Sequence, residues 1–387
     1  MNIFALDVET TISNKGNPFD ETNKLCMVGL SKDSINLLCT IEYDNTPYGD
    51  KLVLIQDWIN SSNLLVGFNI KFDLHWIKRY GIDFSNVRVW DCQLVHFILT
   101  RQQNPYPSLD KVAEYYGVDS KLDVVANEYW ANKIDTPDIP IDILTEYLQQ
   151  DLKVTEQVYL KQLEEVKKLS PQLQRLISLH NQDLLVLEEM ESNGLLYDEE
   201  MSGELANGLE EEISNLDRIL SEFTNCSEFN YNSVDHLSAL LYGGIVNYRR
   251  KEPNGFYKTG VKAGQVKESW FDYQVEYPRL VNPLKGTELA KEGLFSTDEA
   301  TLKSLKHRSK KSKELVEILL KRSELEKRLT TYYRGLPETA NKFNWKKGMI
   351  YGQLNQCVAR TGRLSSSRPN LQNFDGEIKQ LFYSRFA

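Results

Sequence analysis

Asn2-Ile3-Phe4-Ala5-Leu6-Asp7-Val8-Glu9-Thr10 is the stretch on which the fold turns. It reads as a short apolar strand that ends in two acids. Residues i and i+2 of a strand share a face, so Asp7 and Glu9 present two carboxylates together at the strand's end. Working outward, residues 25–31 and 35–41 predict two more strands, with Lys32-Asp33 as the turn between them. Residues 63–69 predict a buried strand ending in a loop, and a helix follows over residues 74–80. Strands alternating with helices across residues 1–160 argue an α/β layer structure.

Two later stretches also carry acids at the start or on the face of a helix. Asn69-Ile70-Lys71-Phe72-Asp73 places Asp73 just past a buried strand, at the start of a helix, with Phe72 as an anchor in the core. Tyr147-Leu148-Gln149-Gln150-Asp151 lies in a helical pattern that begins at Pro140. Positions i and i+4 share a helix face, so the Tyr147 phenol and the Asp151 carboxylate project side by side. A second helix spans residues 171–193 and stops at Asn193-Gly194; an acidic amphipathic third covers 201–223. Residues 245–295 lose helical periodicity and carry Gly, Pro and aromatic residues, which predicts a β-rich insertion. Residues 297–333 return to long basic helices.

Composition bounds the function classes. The chain has 387 residues, enough for two or three domains, with 41% hydrophobic and 26% charged residues. No apolar run approaches the roughly 20 residues that span a bilayer. The first strand begins at once, with no basic leader or cleavage site, which places the protein in a cytoplasm. Five cysteines stand singly, which argues against a zinc site or a disulfide framework. The net charge of −9 is unevenly spread. Residues 303–387 hold 19 basic and 7 acidic residues, a balance of +12, whereas residues 1–302 hold 27 and 48, a balance of −21. Carboxylates hold divalent cations; Lys and Arg track phosphates.

In this order, on strand, loop and helix, the three stretches resemble the exonuclease motifs of the DEDD superfamily, in the subgroup with Tyr in the third motif. The resemblance implies a ribonuclease H-like 3′→5′ exonuclease domain over residues 1–165. Hydrolysing a phosphodiester needs an activated water in line with the leaving 3′-oxygen and charge stabilisation at the phosphate; two Mg²⁺ or Mn²⁺ ions about 4 Å apart supply both. By resemblance, Asp7 bridges the two ions, Glu9 and Asp151 complete one shell, Asp73 holds the other ion through water, and Tyr147 orients the attacking water. Asn69 is expected to touch DNA. Asp91, in Val89-Trp90-Asp91, reads as structural rather than as a ligand.

Residues 166–387 resemble the thumb (to residue 345) and an incomplete first part of the palm (346–387) of the right hand of family A DNA polymerases. The motif most specific to that family is Arg360-Thr361-Gly362-Arg363-Leu364-Ser365-Ser366-Ser367-Arg368-Pro369-Asn370-Leu371-Gln372-Asn373. It implies that Arg363 reaches the minor groove and that Asn370 and Gln372 contact nucleic acid. The cluster Lys303, Lys306, Arg308, Lys310, Lys311 and Lys313, with Lys321, Arg322, Lys327 and Arg328 beyond it, is expected to track duplex backbone. The 245–295 insertion resembles thumb insertions of phage polymerases: a DNA or processivity-factor site, or a bare surface hairpin. The palm's carboxylate motifs do not occur, so the chain is expected not to polymerise alone. Either a second polypeptide carrying the fingers and the rest of the palm docks on residues 346–387, through Leu381, Phe382, Tyr383 and Phe386, or the sequence is cut short. The function implied is proofreading of single-stranded 3′ ends together with primer-template binding. Two alternatives stay open: a stand-alone DEDD exonuclease on DNA or RNA, and a non-catalytic primer-template subunit.

Overall fold

The computed structural model describes residues 2–43, 46–120, 122–307 and 309–384. Its first element, β1 (Ile3–Thr10), is the central strand of a five-stranded sheet. β2 (Leu25–Lys32) pairs antiparallel with β1, and β3 (Ile35–Thr40) antiparallel with β2. The turn falls on Asp33 and Ser34, one residue later than expected, and both adopt the left-handed conformation. Such two-residue turns match the twist of the strands they join. An α-helix the sequence reading did not anticipate, α1 (Gly49–Ser61), leads to β4 (Leu64–Gly67).

β4 runs parallel to β1 and is buried along its whole length, as a strand covered on both faces must be. It is shorter than expected because Asn69 turns left-handed (φ 58°) and starts α2 (Ile70–Arg79). β5 (Arg88–Asp91) runs parallel to β4 and leads directly into α3 (Cys92–Leu99). After α4 (Leu109–Tyr116), the 26-residue α5 (Ile141–Val166) packs across β1 and β2. α6 (Pro171–Asn193) stops at Gly194 as its sequence announces, and it starts behind a Ser170 N-cap that the sequence reading did not name. Three parallel strands thus point their carboxyl ends the same way, where α/β sheets place their sites.

β6 (Leu195–Tyr197), α7 (Glu199–Thr224) and α8 (Val234–Tyr242) follow. The insertion is a long antiparallel hairpin of β7 (Gly244–Phe256) and β8 (Val266–Tyr277); from 278 to 295 the only pairing among the described residues is one bridge, Glu288 to Phe295. The basic helices are α9 (Glu299–Ser304) and α10 (Lys310–Arg328), then α11 (Gly335–Lys342). Short strands β9 (Met349–Ile350), β10 (Gln353–Asn355) and β11 (Ser365–Ser367), the turn α12 (Gly376–Lys379) and β12 (Phe382–Tyr383) complete the order. No described helix is long and apolar enough to cross a membrane.

The chain divides into two compact units, residues 1–199 with 336–387, and residues 200–335. This differs from the three expected domains, because residues far apart in the chain share a sheet: β6 pairs with both β9 and β12. Two of the apolar residues expected to await a partner are packed within this unit, whereas Tyr383 is 49% exposed. Leu381 is fully buried, and Phe382 stacks on Phe374 (5.1 Å between centroids) and packs on Tyr197. Phe386, named with them, lies outside the described residues, as does Arg308 of the basic cluster.

Candidate active site

Alternation along β1 builds the site. Phe4, Leu6 and Val8 point into the main core with Leu74 and Ile77 of α2. The opposite face packs on α5, where Ala5 meets Leu148, Leu152 and Tyr147. Farther along that face the apolar residues give way to Asp7 and Glu9, and α5 answers with Asp151. One carboxylate oxygen from each of the three lies within 4.8 Å of the others, and among the described residues no other such group of His, Cys, Asp or Glu occurs. Glu9 and Asp151 are 4% and 5% exposed; Asp7 is half-buried.

Crowding of this kind is costly. Two charges 4.8 Å apart repel by ~3 kcal/mol at an effective dielectric of about 20. Three hard oxygen donors at this spacing suit Mg²⁺ or Mn²⁺, whose charge cancels the repulsion.

Asp73, in the first turn of α2, is buried beside the trio but outside its 4.8 Å limit. Burial holds its carboxyl well above the usual range, and the charges of Asp7 and then Asp91 add to that, against backbone amides that include Val8. Asp91 does structural work. Its Oδ1 accepts from the backbone N–H of Asn69 (3.1 Å), Gln93 (2.8 Å) and Leu94 (3.1 Å), tying the Asn69 loop to the start of α3. Burial nevertheless pushes its carboxyl up to about 6, more than those amides offset. Tyr147 is 1% exposed, with its ring edge-on to Trp130 (5.7 Å). The structure thus encloses a phenol that was expected to face a water in the cleft.

A cleft of about 460 Å³ opens beside the second motif, lined by Asn69, Phe72, Tyr106, Gln353, Asn355 and Arg368 among others, and by none of the four acids. Sequence reasoning missed its Tyr106 and Asn355, which carry no local signal. Nearby in the chain, β10 pairs with β11, and the Ser366 hydroxyl accepts from the Leu371 N–H (3.0 Å), folding the polar stretch back on itself. Arg363, Asn370 and Gln372 are all exposed; Gln372 donates to the Leu364 carbonyl (3.2 Å), and Asn370 accepts from the Gln372 N–H (3.1 Å).

In the second unit, Lys310, Lys311, Lys313 and Lys327 are exposed along α10. Arg322 is not, and this corrects the expectation that it tracks DNA. It is 8% exposed, and its guanidinium donates to Asp217 (2.5 and 3.3 Å) and Asn232 (2.9 Å) while lying over Tyr231. A cation so engaged serves packing.

The fold is a mixed α/β sheet whose central strand, with α5, carries a candidate metal site. Residues 1–167 match the 3′-5′ exonuclease family, and residues 265–385 match DNA polymerase family A. Residues 1–167 are thus similar to 3′-5′ exonuclease regions and residues 265–385 to family A DNA polymerase regions. The chain is similar to DNA polymerase I of Synechocystis sp. (26% identity over 325 residues, 81% of this chain and 28% of that protein). It is also similar to the DNA polymerase of Bacillus phage SP01 (23% over 347 residues, 83% and 36%). The fold matches the POL domain of Pol1 from M. smegmatis in complex with DNA primer-template and dNTP, at a TM-score of 0.63 and 17% identity, over 98% of this chain and 53% of that one. The chain spans about a third of the length of such curated relatives, 28% and 36% for these two.

Proposed function

We propose that the chain removes nucleotides one at a time from the 3′ end of DNA, as the proofreading part of a phage-type family A polymerase of the DEDD Tyr subgroup, acting in the cytoplasm. The observation that carries this reading is the meeting of Asp7, Glu9 and Asp151 within 4.8 Å near the carboxyl end of β1, a strand that runs parallel to β4. When bound, two Mg²⁺ or Mn²⁺ ions supply an activated water and charge stabilisation at the scissile phosphate. Asp7, Glu9 and Asp151 hold the cations, and Asp73 supports them from beside the trio. Asn69, at the left-handed start of α2, positions the terminal nucleotide. Tyr147, one helical turn before Asp151, holds the water's orientation from within its enclosure. The resemblance to the DEDD Tyr subgroup supports these last two roles.

Binding of primer-template DNA is the second half of the reading. Exposed Lys310, Lys311, Lys313 and Lys327 contact phosphates, and Arg363, Asn370 and Gln372 contact the groove without choosing sequence.

The test is nucleotide release from single-stranded DNA and RNA of the same sequence. Release of 5′-mononucleotides from DNA should require Mg²⁺ or Mn²⁺. Asp7→Ala should slow it by about a thousandfold, since the cations supply several kcal/mol. Undiminished activity in EDTA, or in Asp7→Ala, would remove the site. Preference for RNA would assign the chain to the stand-alone RNA nucleases instead.

A further inference from the structure

The β7–β8 hairpin plays no part in this account, and its two halves differ. Near its base, Val246, Tyr248 and Tyr277 are buried in a core with Leu240 and Leu241 of α8. Farther out both faces meet solvent. Phe256 and Trp270 are 65% and 54% exposed, and Phe271 and Val266 are exposed as well. A bare two-stranded ribbon is marginal in water, and a run of exposed large apolar groups marks a contact surface.

The same residues are interleaved with cations. Residues 249–271 hold six Lys or Arg and two acids, a balance of +4, within a region of the chain that is otherwise strongly acidic. Strand register sets Lys251 opposite Trp270 and Arg250 opposite Phe271. The Lys251 ammonium and the Arg249 guanidinium lie 5.2 and 5.6 Å from the Trp270 ring centre, and Lys262 lies 5.9 Å from that of Tyr257. Arg249 also pairs with Asp272 (3.1 Å), both exposed, and Arg250 pairs with the half-buried Glu252 (2.5 Å).

We propose that the distal half of this hairpin binds single-stranded DNA, its aromatic rings stacking on bases while Arg249, Lys251 and their neighbours hold phosphates. The assignment to DNA rests on the polymerase reading above. Duplex DNA offers phosphates but keeps its base faces stacked away, so it leaves Trp270 and Phe256 without partners. A protein strand added along β7 meets Pro253, which lacks an N–H, and the register shift between Pro253 and Phe256, both of which blunt a sheet edge. Unpaired bases use both halves of the surface, because every base has a face to stack and a phosphate to neutralise.

The experiment uses the whole chain in EDTA, so that nothing is degraded, with a fluorescent oligothymidylate of about 16 nucleotides. Trp270→Ala with Phe271→Ala should weaken binding at least about tenfold. Arg249→Gln with Lys251→Gln should reduce the slope of log affinity against log salt by about 1.4. Both variants alter exposed residues, so their melting should match wild type, and the charge variant decides if the aromatic one does not fold. A strand carrying 5-iododeoxyuridine should photocross-link within residues 245–277. Unchanged affinity and slope, cross-links confined to other segments, an equal loss for a blunt duplex, or tighter binding of oligouridylate would each overturn the proposal. Mg²⁺-dependent nuclease activity of the wild type is measured in parallel: its absence removes the exonuclease reading, whereas its presence beside variants that bind normally removes only the hairpin site.

Discussion

Asp7 and Asp91 are both acids near one loop, and the structure gives them opposite prospects on mutation. Asp7 stands in a cluster whose members repel. Asp7→Asn should therefore melt higher than wild type in EDTA, by about 1 kcal/mol once screening at this half-buried position is allowed for. It should also lose the stabilisation that Mg²⁺ confers on wild type, which binding linkage requires of a ligand for the native state. Thermal melts with and without Mg²⁺ check both; a destabilised Asp7→Asn that still responds to Mg²⁺ contradicts the site. Asp91 instead accepts from three backbone N–H groups. Asp91→Ala strands those donors and should cost about 2–3 kcal/mol in denaturant titration, whereas Asp91→Asn keeps an acceptor and should keep nuclease activity. Loss of activity in a well-folded Asp91→Asn would make Asp91 a ligand. Strand periodicity alone puts Asp7 and Glu9 on one face, and helix periodicity puts Tyr147 beside Asp151; that α5 brings Asp151 to β1 was implied only by the resemblance to the DEDD motifs. The enclosure of Tyr147 was not legible in the sequence, because it depends on Trp130, which reaches it only through the tertiary fold.

Among the elements, α2 and α6 are joined by a buried polar network. Glu191 accepts from Lys71 (2.6 Å) and from the Leu354 N–H (2.5 Å) and bonds His75 (2.8 Å); Glu188 pairs with His75 (3.2 Å) and Lys78 (3.0 Å). Burial by itself raises the Glu188 carboxyl, but hydrogen bonds from His75, Ser192 and Lys78 override it and hold it at about 2, below its ordinary 4.5. A depressed carboxyl stabilises the fold above the unfolded value and loses that contribution as pH falls through the folded one. Stability should therefore decline between pH about 4.5 and about 2, and Glu188→Gln should flatten that decline. An acid limb unchanged in Glu188→Gln would mean the network is not what holds these helices at low pH. Nothing in the sequence announced this network, since its members lie more than 100 residues apart. α10 shows the same limit. Its capped start and basic face follow from local pattern, but the pairing of Arg322 with Asp217 spans 105 residues. Its first turn holds lysines and no acid, where the helix dipole favours acids. Lys310→Gln, Lys311→Gln and Lys313→Gln together should leave stability equal or slightly higher while cutting the salt slope of primer-template binding by about 2.7. Arg322→Ala should do the reverse, lowering the melting temperature with the slope intact. An unchanged slope in the triple variant would make these lysines a solvated face.

Across the whole molecule, charge is divided along the chain. The acidic part contains the carboxylate cluster, and residues 303–387, at +12, contain the exposed lysines and the polar stretch with Arg363. The α/β layer was readable because its strands are short apolar runs punctuated by turns. The two-unit division was not, because the three-residue β6 joins β9 and β12, strands formed far later in the chain, which no local pattern reveals. Asp7, Glu9 and Asp151 are proposed to form a metal-dependent site working from the 3′ end. The most direct measurement follows a 5′-labelled single strand with the wild-type chain and Asp7→Ala, in Mg²⁺ and in EDTA. A ladder of labelled strands shortening from the 3′ end is expected, only for wild type and only in Mg²⁺. Immediate release of the label as a mononucleotide, internal fragments, or the same ladder from Asp7→Ala would contradict that proposal.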